Sequence, residues 1–297
     1  MKKKLHGVLG NETRGRRHLP GLALAALAWT LGTVVAASPA AAAHRPAAVT
    51  ASHPPGYQVV HSASSSAPPS AFDSGGSVAC PTGTVVWGGG VAFIGGSGPG
   101  LTVNTSEPAG NSWAARVNNT GTTTPQFRVD VICAKKPMGY QVVFKNVDNP
   151  ANSQSHATVT CPSPKVLLGG GTLSTSDQAP AVLNSAWPSA SNKFTAYMDN
   201  GTTTDARLDV FAICGHKPAG YKIVSNGAAV DPGFTLGDGI GCPSGTAALS
   251  GGARTIGHSP AVQVGGSIDQ GAFGWAIDVN NTTASVQQVN GYVICAA

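Results

Sequence analysis

Cys80-Pro81-Thr82-Gly83-Thr84-Val85-Val86-Trp87-Gly88-Gly89-Gly90 is the stretch that decides the fold, because it returns twice. It recurs as Cys161-Pro162-Ser163-Pro164-Lys165-Val166-Leu167-Leu168-Gly169-Gly170-Gly171. It recurs again as Cys242-Pro243-Ser244-Gly245-Thr246-Ala247-Ala248-Leu249-Ser250-Gly251-Gly252. The step is 81 residues each time, and Cys133, Cys214 and Cys295 keep the same step. A fixed period of this size marks an internal repeat.

The match extends in both directions. Trp113, Phe194 and Trp275 coincide, as do the Asn-rich turns Asn118-Asn119-Thr120, Asp199-Asn200-Gly201 and Asn280-Asn281-Thr282. Gly56-Tyr57, Gly139-Tyr140 and Gly220-Tyr221 open the three repeats, which run 55–136, 137–217 and 218–297. Residues 44–54 read as a Pro/Ala-rich linker. Residues 1–43 read as a signal peptide: a basic start, an apolar run from Leu22 to Ala37, and a small-residue exit ending at Ala43. The apolar run is shorter than the ~20 residues a spanning helix needs. The expectation is therefore a secreted, extracellular protein with no membrane span after cleavage.

The Cys-Pro-x-Gly start, the Gly-Gly-Gly run and the Ile132-Cys133-Ala134 ending resemble a repeat of secreted actinobacterial proteins of unknown function. The resemblance covers all three repeats, about 240 residues, with Pro164, Gly215 and Ser250 as departures. The three-fold Greek-key plan bears a more distant likeness to the β-prism of vitelline membrane outer layer proteins. Neither likeness implies catalytic residues.

Alternation with period 2 marks strands. Counting back from the second cysteine, Val131, Val129 and Phe127 share its face, as do Ala212, Val210 and Leu208, and Val293, Gly291 and Val289. That face reads as core. The reading is all-β, with about five strands per repeat, two of them the arms of an Asn hairpin. Six cysteines allow fifteen pairings. The repeat selects Cys80–Cys133, Cys161–Cys214 and Cys242–Cys295. Each bridge closes a loop of about 54 residues, worth roughly 4 kcal/mol by chain entropy. Two architectures follow: one pseudo-three-fold, β-prism-like domain, or three tandem small β-sandwiches. Short spacing between repeats favours the first. The glycine runs then sit where backbones approach too closely for side chains.

Charge narrows the partners. The formal net charge is +5, but residues 1–43 hold six basic residues and one acid, so the rest is balanced. No basic patch for nucleic acid is expected. The histidines beyond the leader, His44, His53, His61, His156, His216 and His258, fall at no metal-ligand spacing, so no metal or cofactor is expected. No GxSxG elbow is present. Trp87 and Trp187 lack aromatic counterparts in the other repeats and are the candidates for stacking on a sugar ring. The outward positions Arg116, Tyr197 and Asp278 differ between repeats, which argues against three identical sites.

The function expected from sequence is a secreted, non-enzymatic binding or cell-surface module with polysaccharide or cell envelope as partner. A protein-interaction or protease-inhibitor module is the first alternative, with the Ser/Pro-rich segment 61–76 as its loop. A hydrolase with a site in one repeat only is the second.

Overall fold

The computed structural model describes residues 53–176, 181–271 and 273–297. The leader and most of the linker lie outside them. Repeat 1 forms β1 (Gln58–His61), β2 (Ser65–Ser66), β3 (Ala71–Ala79), β4 (Val85–Ile94), β5 (Leu101–Ala109), β6 (Ser112–Asn119) and β7 (Gln126–Ala134). Repeat 2 forms β8 (Gln141–Asn149), β9 (Ser153–Thr160), β10 (Val166–Ser174), β11 (Ala181–Ala190), β12 (Lys193–Asn200) and β13 (Ala206–Gly215). Repeat 3 forms β14 (Lys222–Val230), β15 (Thr235–Gly241), β16 (Ala247–Thr255), β17 (Val262–Asp269), β18 (Gly274–Asn281) and β19 (Gln287–Ala296).

These strands build three sheets on one plan. Sheet A runs β1-β7-β4-β17-β18-β15, with β2 also on β7; sheet B runs β3-β6-β5-β10-β13-β8; sheet C runs β14-β19-β16-β11-β12-β9. Sheets B and C each take three strands from one repeat and three from another; sheet A takes three from repeat 3 and four, counting β2, from repeat 1. The three repeats belong to one compact unit.

This plan corrects both expected architectures. Tandem sandwiches are excluded because no repeat completes a sheet by itself. The β-prism is excluded because the sheets are open: among the described residues each ends on two unpaired edge strands, β1 and β15, β3 and β8, or β14 and β9, and no pairing curls them shut. The Asn turns are corrected too. The arms of each expected hairpin enter different sheets, β6 in B and β7 in A, for example. The turn is a corner. Its Asn works by its side chain: Asn281 is buried, donates to Val230 O, Asp231 O and Ser285 O, and accepts from Thr283 N. Asn119 and Asn200 make corresponding bonds. A buried amide group here replaces the ladder bonds lost where the chain changes sheet.

The inward faces read from sequence are buried: Phe127, Val129 and Val131, Leu208, Val210 and Ala212, Val289 and Val293 all lie in the core. Disulfides join Cys80 to Cys133, Cys161 to Cys214 and Cys242 to Cys295. The glycine runs lie where the repeats meet. A Cβ on Gly89, Gly170 or Gly251 would overlap Trp113, Phe194 or Trp275 of the same repeat. A Cβ on Gly90, Gly171 or Gly252 would overlap the backbone of β17, β5 or β11 in a neighbouring repeat. The interior cavity there is 20 Å³, room for about one water and not for a ligand.

The opening tyrosines close a ring between repeats. Tyr57 donates to Ala248 O, Tyr140 to Val86 O and Tyr221 to Leu167 O, each at 2.8 Å. Each accepting carbonyl lies at the register shift in β16, β4 or β10. Burial pushes the Tyr140 phenol up to about 12, and shifts Tyr57 and Tyr221 the same way.

Candidate functional site

Neither candidate tryptophan offers an open face. Trp87 is 3% exposed and donates from Nε1 to Lys135 O. Trp187 is 7% exposed, with the Arg254 guanidinium 5.4 Å over its ring. Segment 61–76 is no free loop either: His61 ends β1, β2 pairs with β7, and β3 begins at Ala71.

The most unusual chemistry lies in sheet A, on residues that sequence reading passed over. His61, the last residue of β1, faces Asp130 of β7 across the ladder. Its Nδ1 lies 2.8 Å from Asp130 Oδ1. That is ion-pair distance for a protonated imidazole, though no N–H is directed at the oxygen. Arg128 reaches Asp130 Oδ2, from Nη2 at 3.1 Å and Nε at 3.2 Å. Asp269, the last residue of β17, comes from repeat 3. Its Oδ2 accepts from Gly271 N at 2.9 Å, while its Oδ1 is buried without a hydrogen bond. One ligand atom from each of His61, Asp130 and Asp269 lies within 4.8 Å of the others. Asp130 is 1% and Asp269 3% exposed, whereas the His61 side chain is 50% exposed. Burial first, and then the adjoining Asp130 carboxyl, push the Asp269 carboxyl up to about 6.

The repeat makes this group singular. The His61–Asp130 pair corresponds to Phe144–Phe211 in sheet B and Ser225–Tyr292 in sheet C. Asp269 corresponds to Glu107 and Pro188. For Asp130 the sequence holds one signal: it alternates with the inward Val129 and Val131 and so falls on the opposite face of its strand. Asp269 carries no such signal, because β17 has no unbroken period-2 pattern to mark it as a strand.

Sheet C carries a second candidate, shared by repeats 2 and 3. Tyr197 of β12 lies between two imidazoles, His156 at 4.7 Å and His258 at 3.8 Å, all nearly parallel. Beside this column is a cleft of 300 Å³ lined by Asn152, Gln154, Asp199, Asn200 and Pro260. Gln154 Nε2 donates to Asp199 Oδ1 at 2.6 Å and to His258 O at 2.8 Å. Burial pushes the Asp199 carboxyl up to about 6, against hydrogen bonds from Gln154 and Asn184. Burial lowers the His258 imidazole, helped by Arg254 and His156.

Comparison with protein-family models gives no match to this chain, and no curated protein matches it. Among the described residues, no helix is long and apolar enough to cross a membrane.

Proposed function

We propose that this disulfide-tied, repeat-built β module works through one unrepeated site, and that its reaction class is hydrolysis. The observation behind this reading is the convergence of His61, Asp130 and Asp269 at one of three otherwise equivalent places. It is the hydrolase alternative drawn from sequence, with one change: the site is shared by repeats 1 and 3. Hydrolysis needs a group that takes a proton from water and a fixed charge that holds the water in place. A half-exposed imidazole backed by two buried carboxylates supplies both. The test is a panel of chromogenic esters, peptides and glycosides. Turnover of one class is expected, falling about 100-fold or more in His61→Ala and Asp269→Asn. No turnover of any class by the wild-type protein overturns the reading.

A polysaccharide-binding surface is the second reading, favoured by the sheet C cleft. Carboxylate and amide groups side by side suit the paired hydroxyls of a sugar. The exposed ring of His156 stacks on Tyr197, two residues along β12 from Asp199. Saturable binding to insoluble polysaccharide that is lost in both Asp199→Asn and His156→Ala supports it. Binding retained in both variants, or none in the wild type, removes it. Trp187→Ala perturbs packing here rather than a binding face.

Export belongs to the same proposal. Three disulfides suit an oxidising compartment. N-terminal sequencing of protein from the culture medium is expected to begin at His44.

A further inference from the structure

We propose that His61, Asp130 and Asp269 form a binding site for one divalent cation of the zinc or manganese kind. The proposal deepens the hydrolytic reading and rests on it for the use made of the ion, though not for its binding.

The argument is one of unmet valences. Arg128 occupies Asp130 Oδ2, and the Gly271 N–H occupies Asp269 Oδ2. What remains is Asp130 Oδ1, Asp269 Oδ1 and the His61 imidazole. Both remaining carboxylate oxygens are buried: Asp130 Oδ1 has only the undirected contact to His61 Nδ1 at 2.8 Å, and Asp269 Oδ1 receives no hydrogen bond. Buried polar atoms of this kind are rare and call for a partner. Two of them beside one imidazole, in a single group, share the same need. With His61 neutral, as a metal ligand must be, Arg128 is the one cationic side chain paired with these two carboxylates among the described residues. A cation supplies the missing positive charge and binds all three donors at once.

The donor set selects the ion. One imidazole nitrogen with two carboxylate oxygens suits zinc or manganese; calcium takes six to eight oxygens. Donors around zinc stand roughly 3–4 Å apart, so a group within 4.8 Å closes on the ion by small side-chain rotations. Arg128 on Asp130 and Gly271 on Asp269 already orient the two carboxylates from behind. Three protein donors leave coordination positions open, and the exposed side of His61 gives them access to solvent. A water held there would be acidified for attack, so the ion would take over the part that a free His61 imidazole plays as base. The equivalent places in sheets B and C, with Phe144 and Phe211 or Ser225 and Tyr292, lack this donor set, so the stoichiometry is one.

The rival account is a proton shared by Asp130 and Asp269. Isothermal titration of the chelator-treated full protein with ZnCl₂, MnCl₂ and CaCl₂ separates the two. The expected result is one zinc or manganese ion per chain and weaker binding of calcium. Affinity is expected to fall at least about tenfold in both His61→Ala and Asp269→Asn. Glu107→Gln, at the equivalent place in sheet B, is expected to leave it unchanged. His61 is half exposed, so His61→Ala carries the test even if Asp269→Asn fails to fold. No binding, or binding that His61→Ala leaves untouched, overturns the cation in favour of the shared proton. Hydrolysis that persists in chelator overturns the use made of the ion in catalysis and spares the hydrolytic reading. One bound ion without turnover of any substrate overturns the hydrolytic reading and spares the cation.

Discussion

Asn281 illustrates how much one side chain carries in this fold. Its amide ties the corner between β18 and β19 to the end of β14 and the turn after it through Val230 O and Asp231 O, and closes the corner on itself through Ser285 O. Asn281→Ala leaves those carbonyls short of a buried partner, at a cost of about 3 kcal/mol. Urea unfolding measures it, and a loss below about 0.5 kcal/mol would show that the corner is held by other contacts. Glu107 makes a pH prediction at the same scale. Burial raises its carboxyl to about 7 from an ordinary 4.5, with Asp209 adding and Arg116 opposing. The folded protein therefore holds this proton more tightly than the unfolded chain does. Below about pH 4.5 the group is neutral in both states and costs nothing. As pH rises from 4.5 through 7 the folded state is progressively destabilised, and above 7 the penalty is complete. Glu107→Gln is expected to flatten the fall in melting temperature over that window and to raise the melting temperature at pH 8. Identical profiles for the two proteins would assign the fall to another group.

Among the elements, β5, β11 and β17 are the hardest to read from a period of 2. Each carries a register shift, Val103/Thr105, Leu183/Ser185 or Val264/Gly266. A bulge reverses the phase of in-out alternation, so a period of 2 breaks in mid-strand. β11 is buried along its first eight residues and has no polar face to alternate with. These strands also join the repeats, and the bulged Asn184 shows how. It donates from Nδ2 to Ser259 O at 2.7 Å and to Val262 O at 2.8 Å, in repeat 3. Asn104 does the same from repeat 1 to Ser176 O and Ala181 O. Asn184→Ala is expected to speed amide hydrogen exchange in residues 256–262 while β16 keeps its protection. Uniform loss of protection across sheet C would mean that Asn184 supports the whole sheet instead.

At the scale of the whole molecule, stability depends on backbones meeting where three repeats converge. A Cβ on Gly252 would overlap the Ala186 carbonyl of repeat 2, and no flexible side chain is available to move. Gly252→Ala is expected to cost about 3 kcal/mol, or to abolish folding. Tyr221→Phe removes the hydroxyl bonded to Leu167 O and Ser191 O, costing about 1–2 kcal/mol. Melting temperature reads both, with Gly252→Ala expected to be the larger loss.

Much of this was legible in the chain order. The 81-residue repeat, the cysteine spacing and the inward face of each last strand are properties of neighbouring residues or of exact recurrence, and they need no knowledge of pairing. The amino-acid sequence by itself therefore determined an all-β protein of three disulfide-bearing repeats. Only the tertiary structure decided that each repeat divides its strands between two open sheets. It also decided that His61 and Asp130 meet Asp269 from another repeat. Both are settled by hydrogen bonds between strands far apart in the chain, here β4 with β17, and such pairing leaves no mark in local periodicity.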